Sequence, residues 1–168
     1  MYSLISSTKG GKVAVEDFKN YRALIKTPIS VNIDGEHRLY TQPPPSSGPL
    51  IPFILRVMRG YHLPENGFEN LKEAGLFYHR LLETFKHAFA ARSMLGDENY
   101  EEVENVLKKL NNENFINTIR SKISDNRTFN SDYYEAMYLN KDDHGTTHLS
   151  VLDGVTGDAV SLSSTINI

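Results

Sequence analysis

No cysteine occurs in this chain. Disulfides, a thiolate nucleophile and cysteine-bound zinc are therefore excluded. The absence carries no information about compartment, because secreted and cytosolic domains alike can lack cysteine. No apolar run reaches the roughly 18 residues that a membrane-spanning helix needs. The opening residues, MYSLISSTKGG, lack the apolar stretch of a signal peptide. Basic runs are missing too, and the net charge is −3. The charge balance therefore gives no push toward nucleic acid.

What is present fits an ordinary folded domain. The chain has 168 residues, 39% hydrophobic and 23% charged, enough for one domain with a core. One glycosylation sequon, Asn126-Arg127-Thr128, matters only in a glycosylating secretory pathway.

Helical spacing runs through VEDFKNYRALI (15–25), with Phe18, Tyr21 and Leu24 on one face. Residues 28–42 read as a hairpin, with Ile29, Val31 and Ile33 alternating and Asp34-Gly35 as its turn. PPPSSG (43–48) reads as a stiff extended arm, and Ser46, Ser47 and Gly48 as the start of a buried helix over 49–60 that Gly60 stops. The strongest helical pattern spans 69–97. Its apolar stripe is Leu71, Phe77 or Tyr78, Leu81, Phe85, Phe89 and Leu95, and Gly96 is its stop. Two shorter helices follow, over 100–110 and 112–124. A loop covers 125–134, and strands at 148–153 and 159–167 form a second hairpin. A hairpin alone cannot bury both faces. Helices thus dominate residues 49–124 and strands lie near both ends, an α+β arrangement.

Several chemical motifs fail on spacing. Asp142, Asp143, His144 and His148 fit no well-attested zinc pattern. His79 and His87, eight apart, share a helix face without becoming ligands. Ser46 and Ser47 lack the G-x-S-x-G of a nucleophile elbow. KGGK lacks the spacing of a phosphate loop. No metal or cofactor is expected.

DHGTTHLSVLD (143–153) is different. A threonine hydroxyl is a weak nucleophile without a base beside it. As the first residue of a chain, Thr146 would have its own α-amine as that base, with a normal pKa near 7.7–8.0. Exposing that amine requires cutting the bond after Gly145. Glycine tolerates the strained backbone such a cut demands. Thr165 and Asn167 share parity on the next strand and so point to one face.

GTTHLSVLDGVTGDAVSLSSTIN (145–167) resembles the processing region of the γ-glutamyltranspeptidases, or glutathione hydrolases. KGGKVAVEDFKNYRA, PPPSSGPLIPFIL, YHRLLETFKHAFAAR, LGD and SDYY follow that family in order, with the eukaryotic members nearer. The resemblance covers essentially the whole chain. It implies part of an αββα sandwich of the N-terminal-nucleophile hydrolases, with 1–145 from the end of the large subunit and 146–168 from the start of the small one, together one incomplete structural domain. It implies self-cleavage between Gly145 and Thr146, Thr146 as the nucleophile, Thr165 orienting it and Asn167 holding the glutamyl end of the substrate. His148 would be structural support. The expected substrates are glutathione and other γ-glutamyl compounds. Water, amino acids or dipeptides would accept the acyl group, the two subunits would stay paired, and the location would be the outer face of the plasma membrane.

Departures from the family pattern are the longer LDGVTGDA turn, Asp158 for Ser or Asn, Ser163 for Thr, and His144 before the glycine. Set against the family's length, the chain lacks the upstream arginine clamp and the downstream oxyanion donors and acidic and serine contacts. Two expectations follow: a γ-glutamyltransferase sequence inactive by itself, or a non-catalytic fragment or degenerate paralogue that at most binds a partner.

Overall fold

The computed structural model describes residues 13–61, 67–138 and 145–165. In chain order these form α1 (Val15–Asn20), β1 (Ile29–Asn32), β2 (Arg38–Thr41), α2 (Leu50–Arg59), α3 (Leu71–Arg92), α4 (Glu104–Leu110), α5 (Glu113–Lys122), a 3-10 turn (Ser131–Tyr134), β3 (Thr147–Leu152) and β4 (Ala159–Ser164). β1 pairs antiparallel with β2, and β3 with β4. The class is α+β, with helices in the middle and a hairpin toward each end.

The core forms where α2 lies across α3. Leu50, Phe53 and Val57 of α2 meet Ala88 and Ala91 of α3, and Leu110, Ile116 and Ile119 close the cluster. Arg120 of α5 ties the end of α2 in place. Its guanidinium donates to the carbonyls of Val57 (3.1 Å) and Arg56 (2.8 Å). Both lie in the last turn of the helix, where Val57 O also accepts from Gly60 N at 3.2 Å. Gly60 makes room for this contact, since a Cβ there would lie 1.8 Å from Arg120 Nε.

The buried face of α3 is not the expected apolar stripe. Leu71 is 92% exposed, Phe89 58% and Tyr78 57%. Glu83, Thr84, His87, Ala88, Ala90 and Ala91 are buried instead. The reason is the partner. α2 supplies the bulk through Phe53 and Val57, so α3 must offer small side chains where the two helices approach. Of the expected stripe, Leu95 packs against the core.

Polar residues on that face survive burial because they are paired. Glu83, 1% exposed, accepts from the hydroxyls of Tyr134 (2.7 Å) and Thr128 (2.8 Å) and from Lys86 Nζ (2.6 Å). Burial opposes its charge, but these hydrogen bonds outweigh burial and hold the carboxyl below its usual range. His87 lies edge-on to the Tyr134 ring at 5.0 Å, and its Nε2 has no hydrogen-bond partner among the described residues. Burial first, then the Lys122 charge, pushes its pKa down to about 4.

Other expectations are corrected at the element ends. α1 stops at Asn20, and Phe18, Tyr21 and Leu24 are 65–75% exposed. A helix that short needs tertiary packing to persist, and none of α1 is buried. Residues 43–48 turn rather than extend: Ser46 N donates to Pro43 O at 3.2 Å, around a cis Pro44–Pro45 bond. Neither serine caps α2. Ser46 Oγ accepts from Gly48 N, and Ser47 Oγ accepts from Arg92 Nε at 3.0 Å. α2 is buried on one face only, with Ile51 and Leu55 exposed. α3 ends at Arg92, before Gly96. Asn70 begins it by accepting from the amides of Lys72 and Glu73. In the first hairpin the turn is wider than two residues. Asp34 accepts from the amides of Glu36 and His37, and Ile33 N reaches His37 O at 2.9 Å.

Two substitutions test which face of α3 is buried. Ala88→Leu overpacks the contact and is expected to cost about 1–3 kcal/mol in urea unfolding. Leu71→Ala is expected to stay within about 0.5 kcal/mol of the parent. The reverse order would restore the large-residue stripe as the core face.

His87 predicts a pH dependence. Its folded pKa lies below the normal 6.5, so the unfolded chain binds the proton first. Stability is therefore full above pH 6.5 and falls as pH drops toward 4, by on the order of 3 kcal/mol at most. Urea midpoints of the parent should slope through this window, and those of His87→Leu should be flatter there.

Candidate functional site

β3 and β4 form a hairpin whose register is unbroken from Thr147↔Ser164 to Leu152↔Ala159. Residues 153–158 close the turn. Asp153 N donates to Asp158 O at 2.8 Å, and Gly157 N donates to Asp153 O at 2.9 Å. The Asp153 carboxylate accepts from the amides of Val155 and Thr156, which lowers its pKa. Gly157 has φ +76°, a left-handed position that suits glycine.

The register sorts the side chains. Leu149 and Val151 share one face with Leu162 and Val160. His148 and Ser150 share the other with Ser163 and Ser161. Extending the register by one position sets Thr146 opposite Thr165, on that second, polar face. Every residue of both strands is exposed.

Gly145 leads into β3 with φ +70°, again left-handed. Its carbonyl lies 3.5 Å from Thr165 Oγ1, which donates to it. That distance is at the long end for a hydrogen bond. The structure thus brings Gly145, Thr146 and Thr165 to one end of the hairpin. Asn167 lies outside the described residues, as do Asp142, Asp143 and His144.

One feature escaped the sequence reading. His148 touches three serines: Nδ1 is 2.7 Å from Ser163 Oγ, and Nε2 is 2.9 Å from Ser150 Oγ and 3.2 Å from Ser161 Oγ. Its signal was present as H-x-S on one strand and S-x-S on the next, legible only once the pairing is known.

Elsewhere, an open groove of about 570 Å³ is lined by Lys72, Gly75, Leu76, His79 and residues 125–128, and shares no residue with the hairpin site. His79 Nε2 sits 2.7 Å from Ser124 O. The sequon Asn126 is exposed in a turn there. Among the described residues no three His, Asp or Glu side chains gather as metal ligands.

Solved structures show the fold. A crystal structure of the Helicobacter pylori gamma-glutamyltranspeptidase superposes with a TM-score of 0.61 over 79% of this chain and 38% of that one, at 24% identity. The chain belongs to the gamma-glutamyltranspeptidase family, whose family model matches residues 4–168. Relatives include Scoloptoxin SSD14 of Scolopendra dehaani, 42% identical over 94% of this chain and 27% of that protein. Glutathione hydrolase 2 of Arabidopsis thaliana is 39% identical over 99% of this chain and 28% of that protein. The human glutathione hydrolase 5 proenzyme is 30% identical over 95% and 27%. The chain thus spans just over a quarter of the length of these relatives.

With both faces exposed, β3–β4 has little apolar burial to hold it. Amide hydrogen exchange in Leu149 and Leu162 should be far faster than in Val57 and Ala88. Equal protection would mean that the hairpin is covered in solution.

Proposed function

We propose that the chain carries the self-processing centre of a γ-glutamyltransferase, cut between Gly145 and Thr146. The observation that carries this reading is the Thr165 hydroxyl donating to the Gly145 carbonyl across the hairpin. A donor on that oxygen draws charge from the carbonyl carbon and stabilises the oxyanion that attack creates. The left-handed backbone at Gly145 leaves this carbonyl in a conformation that suits glycine.

The chemistry balances within the chain. Thr146 Oγ attacks the Gly145 carbonyl carbon, and the bond to Thr146 N breaks. The hydroxyl proton passes to that nitrogen. The product is an ester between Gly145 and Thr146 Oγ, which water opens to a Gly145 carboxylate and a free Thr146 amine. That amine then serves as base for the same hydroxyl. In turnover the hydroxyl attacks the γ-glutamyl amide of glutathione or a related compound. The amine portion leaves with the proton, and water or an amino acid or dipeptide takes the γ-glutamyl group. Asn167 is assigned to hold the glutamyl end of the substrate.

Support comes from family membership and from the names of the relatives, several of which are glutathione hydrolases and several of those proenzymes. The division into 1–145 and 146–168 follows from the same cut. Location at the outer face of the plasma membrane belongs to this proposal and rests on family alone. Among the described residues no helix is long and apolar enough to cross a membrane.

A second reading, of a non-catalytic chain, is favoured by one observation. Gly145, Thr146 and Thr165 are all exposed, and no described residue walls the site off from water. Cleavage needs no substrate site, since its nucleophile and carbonyl are tethered. Turnover needs one.

Intact mass after long incubation near neutral pH tests the proposal. Two fragments, ending at Gly145 and starting at Thr146, are expected from the parent and none from Thr146→Ala. An uncut parent mass would leave the non-catalytic reading. If cleavage occurs, release of the amine from a γ-glutamyl anilide then separates processing from turnover.

A further inference from the structure

We propose that His148 is a positioning residue, which ties β3 to β4 beside the two threonines and holds Thr146 opposite Thr165. The inference rests on the self-cleavage reading above and adds a residue to it.

The argument begins with place. His148 lies two residues after Thr146, and Ser163 two before Thr165, all on one face of the hairpin. His148 and Ser163 are direct cross-strand partners. Their 2.7 Å contact is therefore the first side-chain tie beyond the proposed reacting groups. The other ring nitrogen reaches Ser150 on its own strand and Ser161 on the neighbour. One imidazole thus spans both strands through three hydroxyls.

A tie is needed here because little else fixes this end. Both strands are exposed throughout, and the regular pairing stops at Thr147↔Ser164, one position short of the threonines. Frayed strand ends separate readily. An attack geometry lost by about 1 Å can cost on the order of 10²-fold in rate.

The chemistry also argues against a proton-transfer role for this ring. Serine hydroxyls rotate to donate or to accept, so both ring nitrogens are satisfied whichever one carries the proton. Both nitrogens are engaged by serines on the polar face.

The test uses the full chain with methyl-labelled threonine, leucine and valine. The parent should show a Thr146–Thr165 methyl cross-peak and a Leu149–Leu162 cross-peak. His148→Leu and Ser163→Ala should lose the first and keep the second. His148→Asn, whose amide nitrogen can stand in for Nδ1, should restore the first. Cleavage at Gly145 should slow by about 10²-fold in His148→Leu and return in His148→Asn. The double variant His148→Leu/Ser163→Ala should be no slower than either single one, since both remove the same tie.

An unchanged threonine cross-peak in His148→Leu would overturn the proposal, as would its absence from the parent. Loss of both cross-peaks together would overturn it too, by making His148 a general prop of the hairpin. A parent that shows the cross-peaks but never cleaves would sink the self-cleavage reading instead. The cross-peak comparison among variants would then still decide what His148 holds.

Discussion

The antiparallel register between β3 and β4 is the constraint on which the candidate site depends. Side chains alternate along a strand with a period of two, so a slip of one residue would move the whole polar set to the opposite face. With Thr147 against Ser164, the polar face carries Thr146, His148, Ser150, Ser161, Ser163 and Thr165 together. With any odd slip, Thr165 would lose its approach to the Gly145 carbonyl. The turn over 153–158 sets this register through the Asp153–Asp158 closure and the Asp153 carboxylate.

The helical part is held by a different rule. α2 and α3 approach closely because α3 presents alanines where α2 presents Phe53 and Val57. Arg120 then fastens the end of α2, and Gly60 leaves the space it needs. Glu83 is tolerated in this interior because three donors converge on it. Two of them, Thr128 and Tyr134, come from the segment after α5. A buried carboxylate thereby pins the segment after α5 to the middle of α3.

Tethering separates the two halves of the proposed chemistry. Self-cleavage joins atoms already held in one short segment, so its geometry is a matter of backbone conformation and strand register. Transfer of a γ-glutamyl group asks for more: a place for the substrate and shelter from water. Among the described residues the exposed hairpin brings the tethered groups together and supplies neither of these. That asymmetry follows from where the strands lie, whatever the identity of the nucleophile.

The sequence by itself determined the family, the element order and the second hairpin. Those depend on local alternation, turn residues and a nearly continuous motif, all readable along the chain. It also located the helix of 71–92, because a long amphipathic pattern declares its type. It did not determine which face of that helix is buried. Leu71, Tyr78 and Phe89 made the obvious stripe, yet the neighbour's bulk selected the alanines, and only packing between distant segments decides that. The burial of Glu83 and His87 depends on Tyr134, and that of Glu83 on Thr128 as well, which reach α3 from a distant segment. The serine contacts of His148 likewise waited on the pairing of two strands. Composition and period fix what each segment can be; which surfaces meet is decided by shape and by the satisfaction of buried polar groups, which exist only in the folded chain.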